Sequence, residues 1–405
     1  MSDFERLGWR PDDHPRLTPD ELEGELGRVV TAGRHQRARR RAAIGGALAV
    51  ASILTVASVA ALRSPENADL HMVDVPTATT PTTVGEPSID TSVPPVTGVT
   101  TTTAPAVARP PFVVVVRPSG TAEAPEEDIV VLDSQSGKDI GTIYRTQDHG
   151  DIHAVTLSPD RKHVYFIEEN CGNGPVLRIP VDGSVGQKGE PVTSLPSADP
   201  AISSDGRFLA YLTLQGCDPP EVAAIEWQVR VRDLTTGADR VVAGDAKGYR
   251  MLEPAWSPDG KTLALAVERW EGDKPVEAFL ALLDPSKSQD TLRAPRLSSK
   301  REGFGFRSPT YLPDGNLFLI ETPVGSKVGA ASAQMLVVGG RSGAPIRQVA
   351  TGDPNKTYHR TDADPTGAHL LYMSATDHND PGELRVSSNG ARTTVLAGGV
   401  TEGTW

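Results

Sequence analysis

From Phe112 onward, short apolar runs alternate with polar residues at a period of two and are broken at close intervals by turn-forming residues. Thr262-Leu263-Ala264-Leu265-Ala266 is one such run, and it follows Trp256-Ser257-Pro258-Asp259-Gly260-Lys261. The pairing of a tight turn with an alternating run predicts a β-hairpin. The whole unit recurs: WSPDGKTLALA from Trp256 returns as LSPDRKHVYFI from Leu157, ISSDGRFLAYL from Ile202, YLPDGNLFLIE from Tyr311 and ADPTGAHLLYM from Ala363. Successive copies start 45, 54, 55 and 52 residues apart, a spacing that fits the longer propeller-type repeats.

A second periodic mark follows each copy. Turns occur at Asp133-Ser134-Gln135-Ser136-Gly137, Asp182-Gly183, Asp233-Leu234-Thr235-Thr236-Gly237, Asp284-Pro285-Ser286, Gly340-Arg341-Ser342-Gly343 and Ser388-Asn389-Gly390. These six turns accompany only five hairpins, so one blade begins without its innermost strand. Gly403-Thr404-Trp405 matches Pro254-Ala255-Trp256 and supplies it. The expected fold is therefore all-β: a six-bladed β-propeller of four-stranded blades over 112–405, closed by its last strand so that the ring has no exposed sheet edge at the seam.

Trp256 to Lys261 resembles the WD40-like (PD40-type) repeat of TolB-type six-bladed propellers, and the resemblance spans about 112–405. It implies a propeller of the kind used as a periplasmic binding domain or as the gate of prolyl-oligopeptidase and tricorn-type peptidases. The chain departs from the peptidases in ending at Trp405 without a hydrolase domain, so a ligand- or protein-binding module is expected, not an enzyme. The copies at Ile202 and Ala363 depart furthest from the pattern.

The first 111 residues read differently. Residues 1–25 hold eight acids and 26–41 hold six Arg and no acid, with Thr18-Pro19-Asp20-Glu21 placed as the start of a helix reaching about Arg41. Residues 42–62 form an uncharged apolar run of 21, the length of a membrane-spanning helix. The arginines before Ala42 put the N-terminus in the cytoplasm and everything after Leu62 outside the cell membrane. A cleaved signal peptide is the competing reading, from Ser58-Val59-Ala60. Residues 63–111 follow as a disordered linker; 76–111 contain 11 Thr and 8 Pro among 36 residues, too little apolar surface to offset the entropy of ordering.

Composition narrows the chemistry. A net charge of −12 opposes nucleic-acid binding, and two cysteines exclude an all-cysteine zinc site. No nucleophile-elbow, zincin or phosphate-loop motif occurs, and no cofactor is expected. His149, Asp151 and His153 alternate along one strand face and are weak metal candidates, the basis of an alternative as a metal-dependent propeller hydrolase. A third reading is a transmembrane regulator laid out like an anti-sigma factor, although the His-x-x-x-Cys-x-x-Cys motif is missing.

Repeat register singles out the binding candidates. Three residues before the Trp256 position lie Ala154, Asp199, Glu253, Ser308, Arg360 and Glu402; one earlier lie His153, Ala198, Leu252, Arg307, His359 and Thr401. Equivalent places in six blades make concentric rings, so His153, Asp199, Glu253, Arg307, His359, Arg360 and Glu402 are expected at the channel mouth. Long loops at Thr213–Trp227, Val267–Ala278 and Ile320–Gln334 should open on the same face, with Trp270 exposed. Cys171 and Cys217 fall in equivalent loops of adjacent blades and are expected to form a disulfide, with two buried free thiols as the alternative.

Overall fold

The computed structural model describes residues 107–405 except 121–124, 147–149, 170–173, 214–226, 245–247, 273, 325–332, 354, 377–380 and 389–392. Residues 1–41, expected to be cytoplasmic, the apolar run 42–62, most of the expected linker, His149, Cys171 and Cys217 lie outside the described residues. Among the described residues no helix is long and apolar enough to cross a membrane.

Among the described residues, twenty-four strands make six four-stranded antiparallel sheets. The first strands are β1 (Phe112–Gly120), β2 (Pro125–Asp133) and β3 (Asp139–Arg145). Blade one follows with β4 (Asp151–Leu157), β5 (His163–Glu169), β6 (Val176–Pro180) and β7 (Glu190–Pro191). Blade two is β8 (Ser197–Ile202), β9 (Phe208–Thr213), β10 (Gln228–Asp233) and β11 (Asp239–Gly244); blade three is β12 (Tyr249–Trp256), β13 (Leu263–Glu271), β14 (Lys274–Leu283) and β15 (Arg296–Leu297). Blade four is β16 (Phe304–Tyr311), β17 (Leu317–Pro323), β18 (Gln334–Val338) and β19 (Pro345–Thr351); blade five is β20 (Thr357–Ala363), β21 (His369–Ala375), β22 (Gly382–Ser388) and β23 (Thr394–Val400). The last strand, β24 (Glu402–Thr404), joins β1–β3 as the innermost strand of blade six, with Val114 opposite Thr404 and Val116 opposite Glu402. Ring closure by the final strand, and blades at the divergent copies from Ile202 and Ala363, agree with the sequence.

The core is six layers between neighbouring blades, and the strand pattern shows why. On β1, Val114 and Val116 pack toward blade one while Val113 and Val115 pack toward blade five. On β13, Leu263, Leu265 and Val267 face blade two while Ala264 and Ala266 face blade four. Both faces of each inner sheet are buried, so these strands read as nearly continuous apolar runs. No blade has a complete core without its neighbours, and closure therefore contributes to every interface.

The repeated turns are built by their side chains. In the hairpin at Ser257, the Ser257 hydroxyl donates to Asp259 at 2.7 Å and accepts from the Thr262 amide at 2.9 Å, while Gly260 takes a left-handed φ of 66°. Ser203 with Asp205 and Ser158 with Asp160 repeat this arrangement. Two expectations change. Val267–Ala278 is a hairpin of β13 and β14 rather than a loop, because Val267 and Phe279 continue the buried alternation; Trp270 is half-buried, its indole N–H donating to Glu268 at 3.2 Å. Linker residues Val107, Arg109 and Pro110 lie on the propeller: His369 contacts the Val107 carbonyl at 3.0 Å and Arg109 donates to the Ser134 carbonyl at 3.1 Å.

Candidate functional site

Each inner strand of the first five blades carries a bulge at the same place, where the register slips between His153 and Thr156, Ala198 and Ala201, Leu252 and Ala255, Arg307 and Thr310, and His359 and Thr361. The residue at each bulge has a left-handed backbone: Ala154 (φ 54°), Asp199 (46°), Glu253 (48°), Ser308 (47°) and Arg360 (52°). Five non-glycine residues at equivalent strained positions mark a site where a side chain is wanted and the backbone bends to aim it. They are the ring that repeat register singled out.

The ring residues engage one another. Arg360 reaches Asp199 at 3.0 Å, Glu402 at 2.9 Å and Glu253 at 3.9 Å. Blades two and five are three places apart in a ring of six and so stand opposite each other; the Arg360–Asp199 contact must cross the axis. Asp199 also accepts from the Glu253 amide at 3.1 Å, and Glu253 accepts from the Ser308 amide at 2.8 Å and from its hydroxyl at 2.9 Å. One guanidinium thus holds three carboxylates in a plug across the channel. Burial pushes the Glu253 carboxyl above its ordinary range, opposed by Arg360 and reinforced by Asp199. Burial alone would lower the Arg360 pKa, but Glu402, Asp199 and Glu253 overcome it and hold the guanidinium firmly charged.

The second ring is dispersed. His153 is exposed on β4, as is Asp151, and Arg307 pairs with the buried Glu268 of blade three. His359 is buried, and burial together with the Arg360 charge lowers its pKa to about 4 against a backbone hydrogen bond to Thr401. Glu127 of β2, which the sequence reading did not select, sits on this side of the plug and accepts from the Ile152 amide and, at 3.3 Å, from the Thr401 hydroxyl. Burial raises its pKa to about 6, with the Ile152 bond opposing and Asp151 adding. Among the described residues no group of three or more His, Cys, Asp or Glu side chains is disposed to hold a metal ion.

On the other side of the plug lies a cavity of about 520 Å³, lined by side chains from all six blades. It begins at Asp199, Glu253, Ser308 and Arg360 and ends among the hairpin turns at Ser158, Ser204, Pro258, Pro313 and Pro365. The pocket therefore opens on the face of the Ser-Pro-Asp-Gly turns, opposite the blade entries where the sequence placed the mouth. Its walls follow from the repeat: the prolines after the bulge (Pro200, Pro254, Pro309) and the aromatic residues before the turn (Trp256, Tyr311, Trp405) recur from blade to blade. These give flat, rigid apolar surface. Polar groups in the wall are mostly satisfied internally, as where the Thr310 hydroxyl donates to the Thr361 carbonyl at 2.7 Å and Asp362 accepts from Thr404 at 2.7 Å.

No protein-family profile and no curated protein sequence matches the chain. Among solved structures it is similar to TolB from Acinetobacter baumannii, at a TM-score of 0.52 and 17% identity over 73% of this chain and 66% of that one. It is also similar to a putative TolB from Agrobacterium tumefaciens (TM-score 0.49, 16% identity, 70% of this chain and 89% of that one) and to an oligogalacturonate lyase in complex with manganese (0.45, 16%, 67% and 71%). The fold is a TolB-like six-bladed propeller.

Proposed function

We propose that the chain is a membrane-anchored, extracytoplasmic binding module whose propeller captures a segment of a protein partner in the axial pocket. The observation that carries this reading is the cavity itself: about 520 Å³, blind at the Arg360 plug, open at the turns and walled by all six blades. That volume lies within the roughly 300–1,000 Å³ of typical ligand sites. A TolB-like fold favours a protein ligand over a reaction, and the proline and aromatic walls suit an extended chain. The uncharged run 42–62 and its arginine flank support anchoring with the propeller outside.

The test is site-specific photo-crosslinking in intact cells. A benzophenone amino acid at Ser204 or Pro313, on the pocket rim, should yield a discrete crosslinked partner; the same group at Ile140, on an exposed outer strand, should not. Protease added outside should release the propeller by cleavage within the linker. Crosslinks from Ile140 but none from the rim would refute the pocket, and full protection of the propeller would refute the topology.

A further inference from the structure

The axial pocket is rich in acceptors and poor in donors, and the repeat explains why. Proline follows the bulge on three inner strands, at Pro200, Pro254 and Pro309, and recurs at the rim, as in Pro258 and Pro313. Each keeps a carbonyl acceptor but has no N–H to donate. Six of the lining hydroxyls spend their protons inside the protein. Ser308 donates to Glu253 at 2.9 Å, Thr310 to the Thr361 carbonyl at 2.7 Å and Thr404 to Asp362 at 2.7 Å, while Thr361 donates to the Ser308 carbonyl. At the rim, Ser158 donates to Asp160 at 2.6 Å and Ser204 to the Pro258 carbonyl at 2.7 Å.

Charge runs the same way. Among the described residues that line the pocket, the four carboxylates of Asp199, Glu253, Asp362 and Asp364 stand against the two guanidiniums of Arg161 and Arg360. Glu402, in contact with Arg360, adds a further acid to the plug. Both guanidiniums are committed within the protein: Arg360 to Asp199, Glu402 and Glu253, and Arg161 to the Phe112 ring, which it covers, and to the Phe112 carbonyl. Asp364 is likewise spent on its own turn, through Thr366 and the His369 amide. Asp199 and Glu253 differ, for their side chains line the pocket floor and are 13% and 18% exposed. An ionised carboxylate offers about four lone-pair sites, more than are filled on either. Asp199 accepts from Arg360 and the Glu253 amide, and Glu253 from the amide and hydroxyl of Ser308. In a blind cavity with low-dielectric walls, a field of one sign is focused on whatever enters.

We propose that the pocket recognises a basic side chain of the captured segment, whose ammonium or guanidinium donates to Asp199 and Glu253 at the floor while its methylene stem lies along the proline wall. This rests on the reading of the pocket as a segment-binding site. The test measures binding of tetrapeptide pools to the full chain by fluorescence anisotropy at fixed ionic strength. The peptides carry an N-terminal fluorescein and a C-terminal amide, and the pools differ at one position, which holds lysine, arginine, norleucine or glutamate. The lysine and arginine pools should bind more tightly than the norleucine pool by about tenfold or more, and the glutamate pool should bind most weakly. Asp199→Asn and Glu253→Gln should each cut the basic preference, whereas Asp284→Asn, which removes an acid from the turn between β14 and β15, should leave it unchanged. Near-ultraviolet circular dichroism checks that each variant is folded, and the four pools on the parent chain decide the matter even where a variant is not. Equal affinity for the basic and norleucine pools, tighter binding of the glutamate pool, no binding of any pool, an unchanged preference in both folded carboxylate variants, or loss of the lysine pool to one equivalent of calcium would each overturn the proposal. Rim crosslinks without a preference for the basic pools would sink this inference alone; the absence of rim crosslinks would sink the binding reading.

Discussion

Arg360→Met removes the one cation from the plug and leaves Asp199, Glu253 and Glu402 facing one another. The side chains are 24%, 13%, 18% and 11% exposed in the order Arg360, Asp199, Glu253, Glu402, so solvent screens the cluster only in part. A contact near 3 Å is worth roughly 5 kcal/mol gross at an effective dielectric constant of about 20, most of which desolvation cancels. Deleting one partner leaves the desolvation cost without the attraction, which puts the loss at roughly 3–5 kcal/mol at pH 7. For a domain of this size that is a fall in Tm on the order of 10 °C. The loss must depend on pH, because the orphaned carboxylates take up protons: Glu253 is already raised by burial, and without Arg360 it rises further. A thermal-unfolding series by near-ultraviolet circular dichroism should show the deficit of Arg360→Met shrinking from pH 7 to pH 4. Adding Asp199→Asn, Glu253→Gln and Glu402→Gln should bring stability at pH 7 back to within about 1–2 kcal/mol of the parent. A deficit that is the same at both pH values, or absent, would refute the plug as an ionic structure.

The remaining predictions concern neighbouring sites. Glu127, raised from 4.5 to about 6, contributes stability that is present below about pH 4.5 and lost as pH rises through 6, on the order of 2 kcal/mol. His359, lowered from 6.5 to about 4, acts in reverse: its contribution is present above pH 6.5 and lost as pH falls toward 4. The Glu127→Gln variant should therefore lose stability on acidification more steeply than the parent, and His359→Gln less steeply, in urea titrations between pH 4 and 7; a parallel set of curves would contradict both assignments. Trp405→Ala should destabilise by roughly 2–4 kcal/mol, the usual cost of deleting a buried aromatic less relief of an unpaired indole donor; a variant that melts with the parent would show that the seam does not depend on this side chain. Gly305→Ala would set a β-carbon 2.3 Å from that of Ala278 and 2.8 Å from its carbonyl oxygen, where blades three and four meet, so a clear fall in Tm is expected and an unchanged Tm would contradict the packing there.

The propeller was legible in the chain because its information is local and repeated. A Ser-x-Asp-Gly turn satisfies its own backbone through Ser257 and Asp259, and the alternating run after it needs only a neighbour on each side. The same turn position five times over leaves little choice of topology, and even the closing of the ring by the last strand follows from matching Gly403-Thr404-Trp405 with Pro254-Ala255-Trp256. Register also brought Asp199, Glu253, Ser308, Arg360 and Glu402 to one level. What those residues do there was decided by tertiary structure. Whether a ring of charges lines an open mouth or collapses into a plug depends on the bulges that turn Asp199 and Arg360 toward the axis, and on the reach of one guanidinium across it to the opposite blade. Because the plug closes one end, the pocket opens at the turns and not at the blade entries. Pairing of Arg307 with Glu268, the burial of His359 and the contact of Arg161 with the Phe112 ring belong to the same class. Each depends on contact between neighbouring blades, set by how rigid sheets meet around an axis, and periodicity within one blade carries no record of it.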